Sequence, residues 1–172
     1  MKNLEKFLSI LDGEVDGLLL TSRYSRHYGA EFDIAEGMAV VSKKGCRYFT
    51  DSRYIESAQK NLKGFEVQDV LGARNYPKRI NEAIEDFGIT CLGYEENYLT
   101  VAEFMDLEKN LKAKLLPCNA RINGFRGVKE PWEIELMRKA QKIADKAFQE
   151  TLPRIHAGMT ALEAQAELIY EM

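Results

Sequence analysis

The chain has 172 residues, of which 45% are hydrophobic and 30% charged, and its formal net charge at pH 7 is −3. These values are typical of a soluble globular protein with one domain and an appendage. Lysines and arginines are scattered among acidic residues, so the sequence lacks the clustered basic face of a nucleic-acid-binding protein and we expect no nucleic-acid partner.

The cysteines and the N-terminal region indicate a reducing compartment. Cys46, Cys91 and Cys118 are far apart, odd in number and outside any C-x-x-C pair, which favours reduced thiols over a disulfide or redox role. The first apolar run, Gly17–Leu20, is too short for a signal peptide or a membrane span. We therefore expect a cytoplasmic protein with no membrane partner.

The first part of the chain predicts a short amphipathic helix, a buried strand and a hairpin around a glycine. These elements are the helix Leu4–Leu11, the strand Gly17–Leu20 and the hairpin strands Met38–Val41 and Arg47–Phe49. Between them, Thr21 and Ser22 can cap a turn that leads into the aromatic and basic residues 23–28. After the hairpin, Asp51 or Ser52 is the predicted N-cap of a helix that ends at Gly64.

The second part alternates strands with helices. Strands are predicted at Phe65–Val70, Cys91–Tyr94 and Lys114–Pro117, and helices at Tyr76–Phe87 and Thr100–Leu111. Pro77 suits the first turn of one helix, and Thr100 with Glu103 forms the capping box of the other. The order β, hairpin, α, β, α, β, α, β predicts an α/β fold with a mixed central β-sheet and helices on both faces.

Two long helices are predicted in the last quarter of the chain. Glu130-Pro131-Trp132-Glu133 is a helix start, and an apolar stripe runs from Ile134 to Phe148. After Gly158, Thr160 and Glu163 form a capping box for the second helix. No Gly, Asn or Pro closes that helix before Met172, so we expect the chain to be cut within it.

The small, polar and glycine residues of 119–127 indicate a linker between the two parts. The predicted organisation is an N-terminal domain at residues 1–122, a linker at 123–130 and long helices at 131–172.

No self-contained active site is predicted. The two histidines, His27 and His156, have no second His or Cys at zinc-ligand spacing, and the chain contains no G-x-S-x-G, P-loop or G-x-G-x-x-G motif. Most Asp and Glu residues fall on predicted helix surfaces or in caps, where they are solvated. We therefore assign no catalytic residue and no metal ligand.

Two segments are candidates to contact a ligand or a partner. The first contains Arg26, His27, Tyr28 and Phe32. It could be a loop whose tyrosines cover the sheet edge, or a surface loop at a ligand or a partner's active site, because aromatic and Arg side chains are enriched at such contacts.

The second candidate segment contains Arg53 and Tyr54. It could be a helix start in which Arg53 is tied to a carboxylate. Alternatively, Arg53 faces the substrate, because its planar guanidinium can hold a carboxylate of the ligand.

Four stretches carry a family resemblance. Tyr48–Tyr54, between a hairpin and a helix, is similar to the N-terminal domain that Xaa-Pro aminopeptidases and prolidases share with creatinase. Arg26-His27-Tyr28 followed by Phe32 resembles the family segment N-R-x-Y-x-x-G-F, with Glu31 in place of the usual Gly. Val128–Ala140 resembles V-K-S-P-x-E-I-E-L-I-R-K-A, and Leu152–Thr160 resembles L-P-x-I-x-x-G-M-T.

The resemblance implies a creatinase/prolidase N-terminal domain of ribonuclease H-like fold, followed by the first helices of a catalytic domain. Enzymes of the family bind two divalent metals, usually manganese or cobalt, through two Asp, one His and two Glu of a C-terminal "pita-bread" domain. A metal-bridging hydroxide attacks the bond before proline. All five ligands would lie beyond Met172, so the parent protein is expected to be an Xaa-Pro aminopeptidase or dipeptidase and the chain alone to be inactive.

The resemblance also implies a homodimer, in which the N-terminal domain helps to wall the partner's active site and limits substrates to short proline-containing peptides. On this basis the predicted substrate- or partner-facing residues are Arg26, His27, Tyr28, Phe32, Arg53 and Tyr54. The alternative is a stand-alone binding or regulatory module that has lost the catalytic domain. A parent acting on creatine or another non-peptide substrate also stays open.

Overall fold

A computed structural model describes residues 2–71 and 75–172 of the chain. Its contacts divide the chain into two compact units, Met1–Phe125 and Arg126–Met172. The elements as far as α6 are α1 (Lys2–Ser9), β1 (Gly17–Leu20), α2 (Arg23–Ala30), β2 (Met38–Ser42), β3 (Gly45–Thr50), α3 (Ile55–Asn61), β4 (Glu66–Asp69), α4 (Tyr76–Phe87), β5 (Cys91–Tyr94), α5 (Val101–Asn110), β6 (Lys114–Pro117) and α6 (Asn119–Gly127). After them come α7 (Pro131–Thr151), a 3₁₀ turn (Leu152–Arg154) and α8 (Ala161–Glu171).

The strands form one mixed sheet in the order β4-β3-β2-β1-β5-β6. Strand β2 is antiparallel to both of its neighbours, while the pairs β1–β5, β5–β6 and β3–β4 are parallel. The carboxyl ends of all strands except β2 therefore lie at the same edge of the sheet. The predicted mixed sheet is confirmed.

The central strands are buried on both faces, with side chains that alternate between two hydrophobic clusters. Leu18 and Leu20 pack in one cluster with residues of α1, α2, α3 and α6. Leu19 packs in the other with residues of α4 and α5. Burial on both faces accounts for the continuous apolar run of β1, and each buried leucine contributes about 1.5–3 kcal/mol. Helices on both faces, as predicted, are confirmed.

The predicted caps are present where the signal is local. Helix α4 has Pro in its first turn and ends at Gly88, whose φ of 62° is left-handed. Both halves of the capping box are formed between Thr100 and Glu103. Helices α7 and α8 begin in the same way, with boxes between Glu130 and Glu133 and between Thr160 and Glu163.

Two local predictions are wrong. Residues 23–30 form helix α2 and not a loop, with Ser22 as N-cap. Helix α3 begins at Ile55, because the Asp51 carboxylate accepts the backbone N–H of Arg53 within a turn and caps no helix. The segment 119–127, where a linker is expected, forms helix α6, and Phe125 near its end makes an edge-to-face contact with Phe7 at 5.0 Å. The boundary between the two units falls within the predicted linker 123–130, and the proposed division into domains stays a prediction.

The three cysteines are free, as predicted. Cys118 is buried and the other two are half-buried. Burial raises the pKa of the Cys46 thiol, which keeps it protonated and unreactive. Of the helices in the described ranges, none has the length and apolar character needed to cross a membrane.

The second unit consists of α7, the short turn and α8. Arg154 joins the turn to α8 through ion pairs with Glu167 at 3.0 Å and Glu171 at 2.5 Å. Large apolar side chains on both helices are exposed, among them Met137, Ile143, Phe148, Leu162 and Ile169. Scattered exposed apolar residues are ordinary, but a set this dense on two adjacent helices is typical of a surface that packs against another domain or protein.

Candidate functional site

The topology of the sheet indicates where a ligand would bind. Adjacent parallel strands β1 and β5 are followed by helices on opposite faces, because Ala30 of α2 and Leu107 of α5 belong to different core clusters. In open α/β sheets, ligands bind in the crevice that such a reversal opens at the carboxyl ends of the strands. We therefore take the carboxyl edge of β1, β3 and β5 as the candidate site.

The crevice between β1 and β5 is filled by Glu95, the first residue after β5, whose side chain is completely buried. Its Oε2 accepts the backbone N–H groups of Thr21 at 2.8 Å and Ser22 at 2.9 Å. Its Oε1 accepts the hydroxyls of Ser22 at 2.8 Å and Ser25 at 2.5 Å. Four donors occupy this carboxylate, so it fixes the start of α2, where the helix dipole also favours negative charge.

Arg26 is buried behind the same crevice. Its Nη1 donates to the Ile34 carbonyl at 3.0 Å and the Tyr48 hydroxyl at 2.6 Å. The carbonyls of Ala35 and Thr21 accept from Nη2 and Nε at 3.3 Å each. Burial raises the pKa of Tyr48, so the phenol stays neutral. The guanidinium thus holds together parts of this domain and has little capacity left for a ligand.

The other predicted residues of this segment differ in exposure. His27 is exposed on α2, whereas Tyr28 and Phe32 are half-buried against the core. The Tyr28 ring lies 6.1 Å from that of Phe7, and its hydroxyl accepts a hydrogen bond from Lys6 at 3.2 Å. Of these three residues, His27 is the one whose side chain is fully presented to the surface.

Arg53 and Tyr54 lie beyond the carboxyl end of β3, at the same edge of the sheet. The Arg53 guanidinium donates to both carboxylate oxygens of Asp51, with Nη2 to Oδ2 at 2.7 Å, and it lies 5.1 Å from the Tyr54 ring centroid. This hydrogen bonding lowers the pKa of Asp51. The geometry matches the structural alternative, a guanidinium tied to a carboxylate, while substrate contact by the exposed side chain stays a prediction.

A cavity of about 510 Å³ opens at this edge, beside Arg26. That volume is within the usual range of small-molecule sites, roughly 300–1,000 Å³. Residues from several segments line the cavity, including Arg26, Glu36, Tyr76, Tyr98, Leu99 and Asp106. No sequence pattern indicates a site role for Glu36 or Tyr76, because only the fold brings these two residues together.

The residues present do not fit the pair of divalent metals that the resemblance implies. Over residues 2–71 and 75–172, no group of three or more His, Cys, Asp or Glu side chains could hold a metal ion. The buried carboxylate of Glu95 is saturated by protein donors. We therefore derive no catalytic step from this chain.

Known proteins with a similar sequence and fold are peptidases or contain this domain. The chain is 31% identical over 159 residues to the uncharacterized peptidase YqhT of Bacillus subtilis, covering 92% of this chain and 44% of YqhT. The structure of the Xaa-Pro dipeptidase from Bacillus anthracis matches with a TM-score of 0.89 and 31% identity, over 99% of this chain and 48% of the dipeptidase.

The X-Pro aminopeptidase from Thermotoga maritima matches with a TM-score of 0.83 and 26% identity, over 98% of this chain and 47% of the aminopeptidase. The chain thus spans about half the length of these relatives. The family model of the creatinase/prolidase N-terminal domain matches residues 3–128, which include the whole sheet and the candidate site. The chain therefore belongs to the creatinase/prolidase N-terminal domain family.

Proposed function

We propose that this chain is the non-catalytic N-terminal domain, with the first helices of the following domain, of a metal-dependent Xaa-Pro peptidase that hydrolyses the bond before proline. The observation that carries the proposal is the match to the Bacillus anthracis Xaa-Pro dipeptidase, which extends over 99% of this chain at 31% identity. The match includes the exposed helices α7 and α8 as well as the sheet. The metal ligands, for manganese or cobalt, would lie in residues that this chain does not include.

Within such an enzyme, the domain would shape access to the active site and form contacts between the subunits of a homodimer in the cytoplasm. Helix α2 and the segment that follows it are suited to this role. The helix begins at the carboxyl edge of the sheet, where Glu95 fixes its first turn, and residues 36 and 37 line the cavity there. The substrates would be short proline-containing peptides, since a wall beside the active site excludes longer chains.

The chain alone is expected to be inactive. Purified 172-residue protein with manganese and an Xaa-Pro dipeptide should release no proline above a chelator-treated control. The full product of the reading frame, extended beyond Met172, should hydrolyse the same peptide. Chelator-sensitive hydrolysis by the short chain would contradict the proposal. A stop codon directly after Met172 would favour the stand-alone module.

A substitution at His27 tests the role of α2 in substrate access. In the full-length peptidase, His27→Ala should change KM for a longer Xaa-Pro peptide by roughly threefold relative to a dipeptide, the effect of losing one exposed contact. Replacing Tyr28 or Phe32 would be harder to interpret, because both pack on the core. His156→Ala removes the other exposed histidine and serves as the control. Equal peptide-length preference in the two variants would contradict this role.

A further inference from the structure

The backbone of residues 34–37, between α2 and β2, is held at every residue. Arg26 donates to the carbonyls of Ile34 and Ala35, at 3.0 and 3.3 Å. The Thr50 hydroxyl donates to the Glu36 carbonyl at 2.9 Å. Gly37 has a φ of 145°, and a Cβ there would lie 2.6 Å from the Phe49 carbonyl oxygen, so no other residue fits. A connection held in this way fixes the backbone of its residues and therefore the directions in which their side chains leave it.

This segment presents one charged group. Ile34 and Gly37 are buried, whereas Ala35 and Glu36 are exposed. Among the residues that the structure describes, none forms a hydrogen bond or an ion pair with the Glu36 carboxylate. Arg53 is close enough for electrostatic attraction to Glu36, but its guanidinium forms an ion pair with Asp51. Glu36 is therefore a positioned carboxylate without a strong partner in this part of the chain.

The surroundings of Glu36 are complementary to a cation. Glu36 lines the 510 Å³ cavity together with Asp106 and the rings of Tyr76 and Tyr98. Burial raises the pKa of Tyr76, and the nearby negative charge of Glu36 raises it further. Among the lining residues that the structure describes, the cationic one is Arg26, and it is occupied by protein acceptors. Ammonium and guanidinium groups bind both carboxylates and aromatic faces, which this cavity offers together.

We propose that Arg26 is a positioning residue that fixes residues 34–37, and that the Glu36 carboxylate so held is a specificity-determining group that binds the ammonium or guanidinium of a basic peptide substrate. The substrate part rests on the proposed peptidase function, whereas the positioning part concerns this domain alone. Glu36 lies outside the set of residues that the sequence pattern selected, and the proposal assigns it a preference for peptides that carry lysine or arginine.

The kinetic experiment uses the full-length peptidase and two Xaa-Pro peptides of equal length, one with lysine and one with norleucine at the same position. Glu36→Gln should raise KM for the lysine peptide about threefold, leave KM for the norleucine peptide unchanged and leave kcat unchanged for both, because an exposed ion pair contributes modestly to binding. Glu5→Gln, which replaces an exposed carboxylate on α1 outside the held segment and outside the candidate site, is the matched control. High salt should reduce the lysine preference of the wild type.

The structural experiment measures NMR backbone order parameters of the 172-residue chain. Arg26→Lys keeps the charge but loses the planar guanidinium, and it should lower the order parameters of residues 34–37 from about 0.85 toward 0.6. Arg47→Lys is the control, because Arg47 is also buried but pairs with Glu66 and Asp86. If Arg26→Lys does not fold, Tyr48→Phe replaces it, because it removes the hydroxyl that accepts from Arg26 Nη1 and so loosens the same guanidinium.

The outcomes separate the two parts. Order parameters of residues 34–37 that stay at wild-type values in Arg26→Lys, or in Tyr48→Phe if Arg26→Lys does not fold, would overturn the positioning role of Arg26. A full-length enzyme that hydrolyses both peptides but shows no change in lysine preference in Glu36→Gln would overturn the assignment of Glu36. A full-length protein that hydrolyses neither peptide would overturn the proposed function and, with it, the assignment of Glu36 to substrate binding. This case is recognised by the absence of activity on the norleucine peptide.

Discussion

Glu95→Ala is expected to lower the free energy of unfolding of this chain by about 3–5 kcal/mol, because it leaves the buried N–H group of Ser22 and the partly buried N–H group of Thr21 without an acceptor. The same substitution removes the acceptor of two serine hydroxyls and the negative charge at the start of α2. Urea denaturation followed by circular dichroism measures the effect, provided that the m-value is unchanged.

Glu95→Gln should cost less, about 1–3 kcal/mol, because its amide oxygen can still accept the two backbone N–H groups and its amino group can donate to a reoriented serine hydroxyl. Glu108→Ala, an exposed glutamate on α5, is the matched control and should stay within about 0.5 kcal/mol of wild type. If Glu95→Ala were no more destabilising than Glu108→Ala, the Glu95 carboxylate would not be what stabilises the start of α2 in the crevice between β1 and β5.

The elements that could be predicted from the sequence are those whose signal is local. The capping boxes at Thr100 and Thr160 need residues only three positions apart, and both form as predicted. The apolar run Gly17–Leu20 needs no partner to be recognised as a buried strand. Helix α2 differs, because the carboxylate that fixes its first turn is Glu95, 73 positions from Ser22. Its aromatic and basic side chains also obscure the helical spacing of its buried residues.

The site residues show the same limit. The sequence pattern indicates Arg26 as an arginine in an aromatic segment. Its partners, the Tyr48 hydroxyl and the carbonyls of the connection after α2, are determined by the tertiary packing. The neighbourhood of Glu36 and Tyr76 arises because β2 begins at the edge where the other strands end. Residue type indicates what a side chain can bind, and topology determines which partners reach it.

The family match and the exposed apolar faces of α7 and α8 lead to one interpretation of the second unit. An exposed aromatic such as Phe148, with 54% of its surface accessible, is unfavourable unless another surface covers it. If the chain is part of the proposed full-length peptidase, residues of the catalytic domain would provide that cover. The consequences of a substitution on this face should therefore differ between the short chain and the long one.

Phe148→Asp is expected to change the free energy of unfolding of the 172-residue chain by no more than about 0.5 kcal/mol, as for a surface position. In the full-length peptidase the same substitution should destabilise by about 3–5 kcal/mol, because it places a charge where an aromatic ring is buried. Lys142→Asp, on the exposed polar side of α7, is the control and should be neutral in both chains. Thermal unfolding of the four variant proteins measures both differences. Equal effects of Phe148→Asp in the short and long chains would show that α7 is not covered by the residues that follow, and the second unit would then be a free surface of this domain.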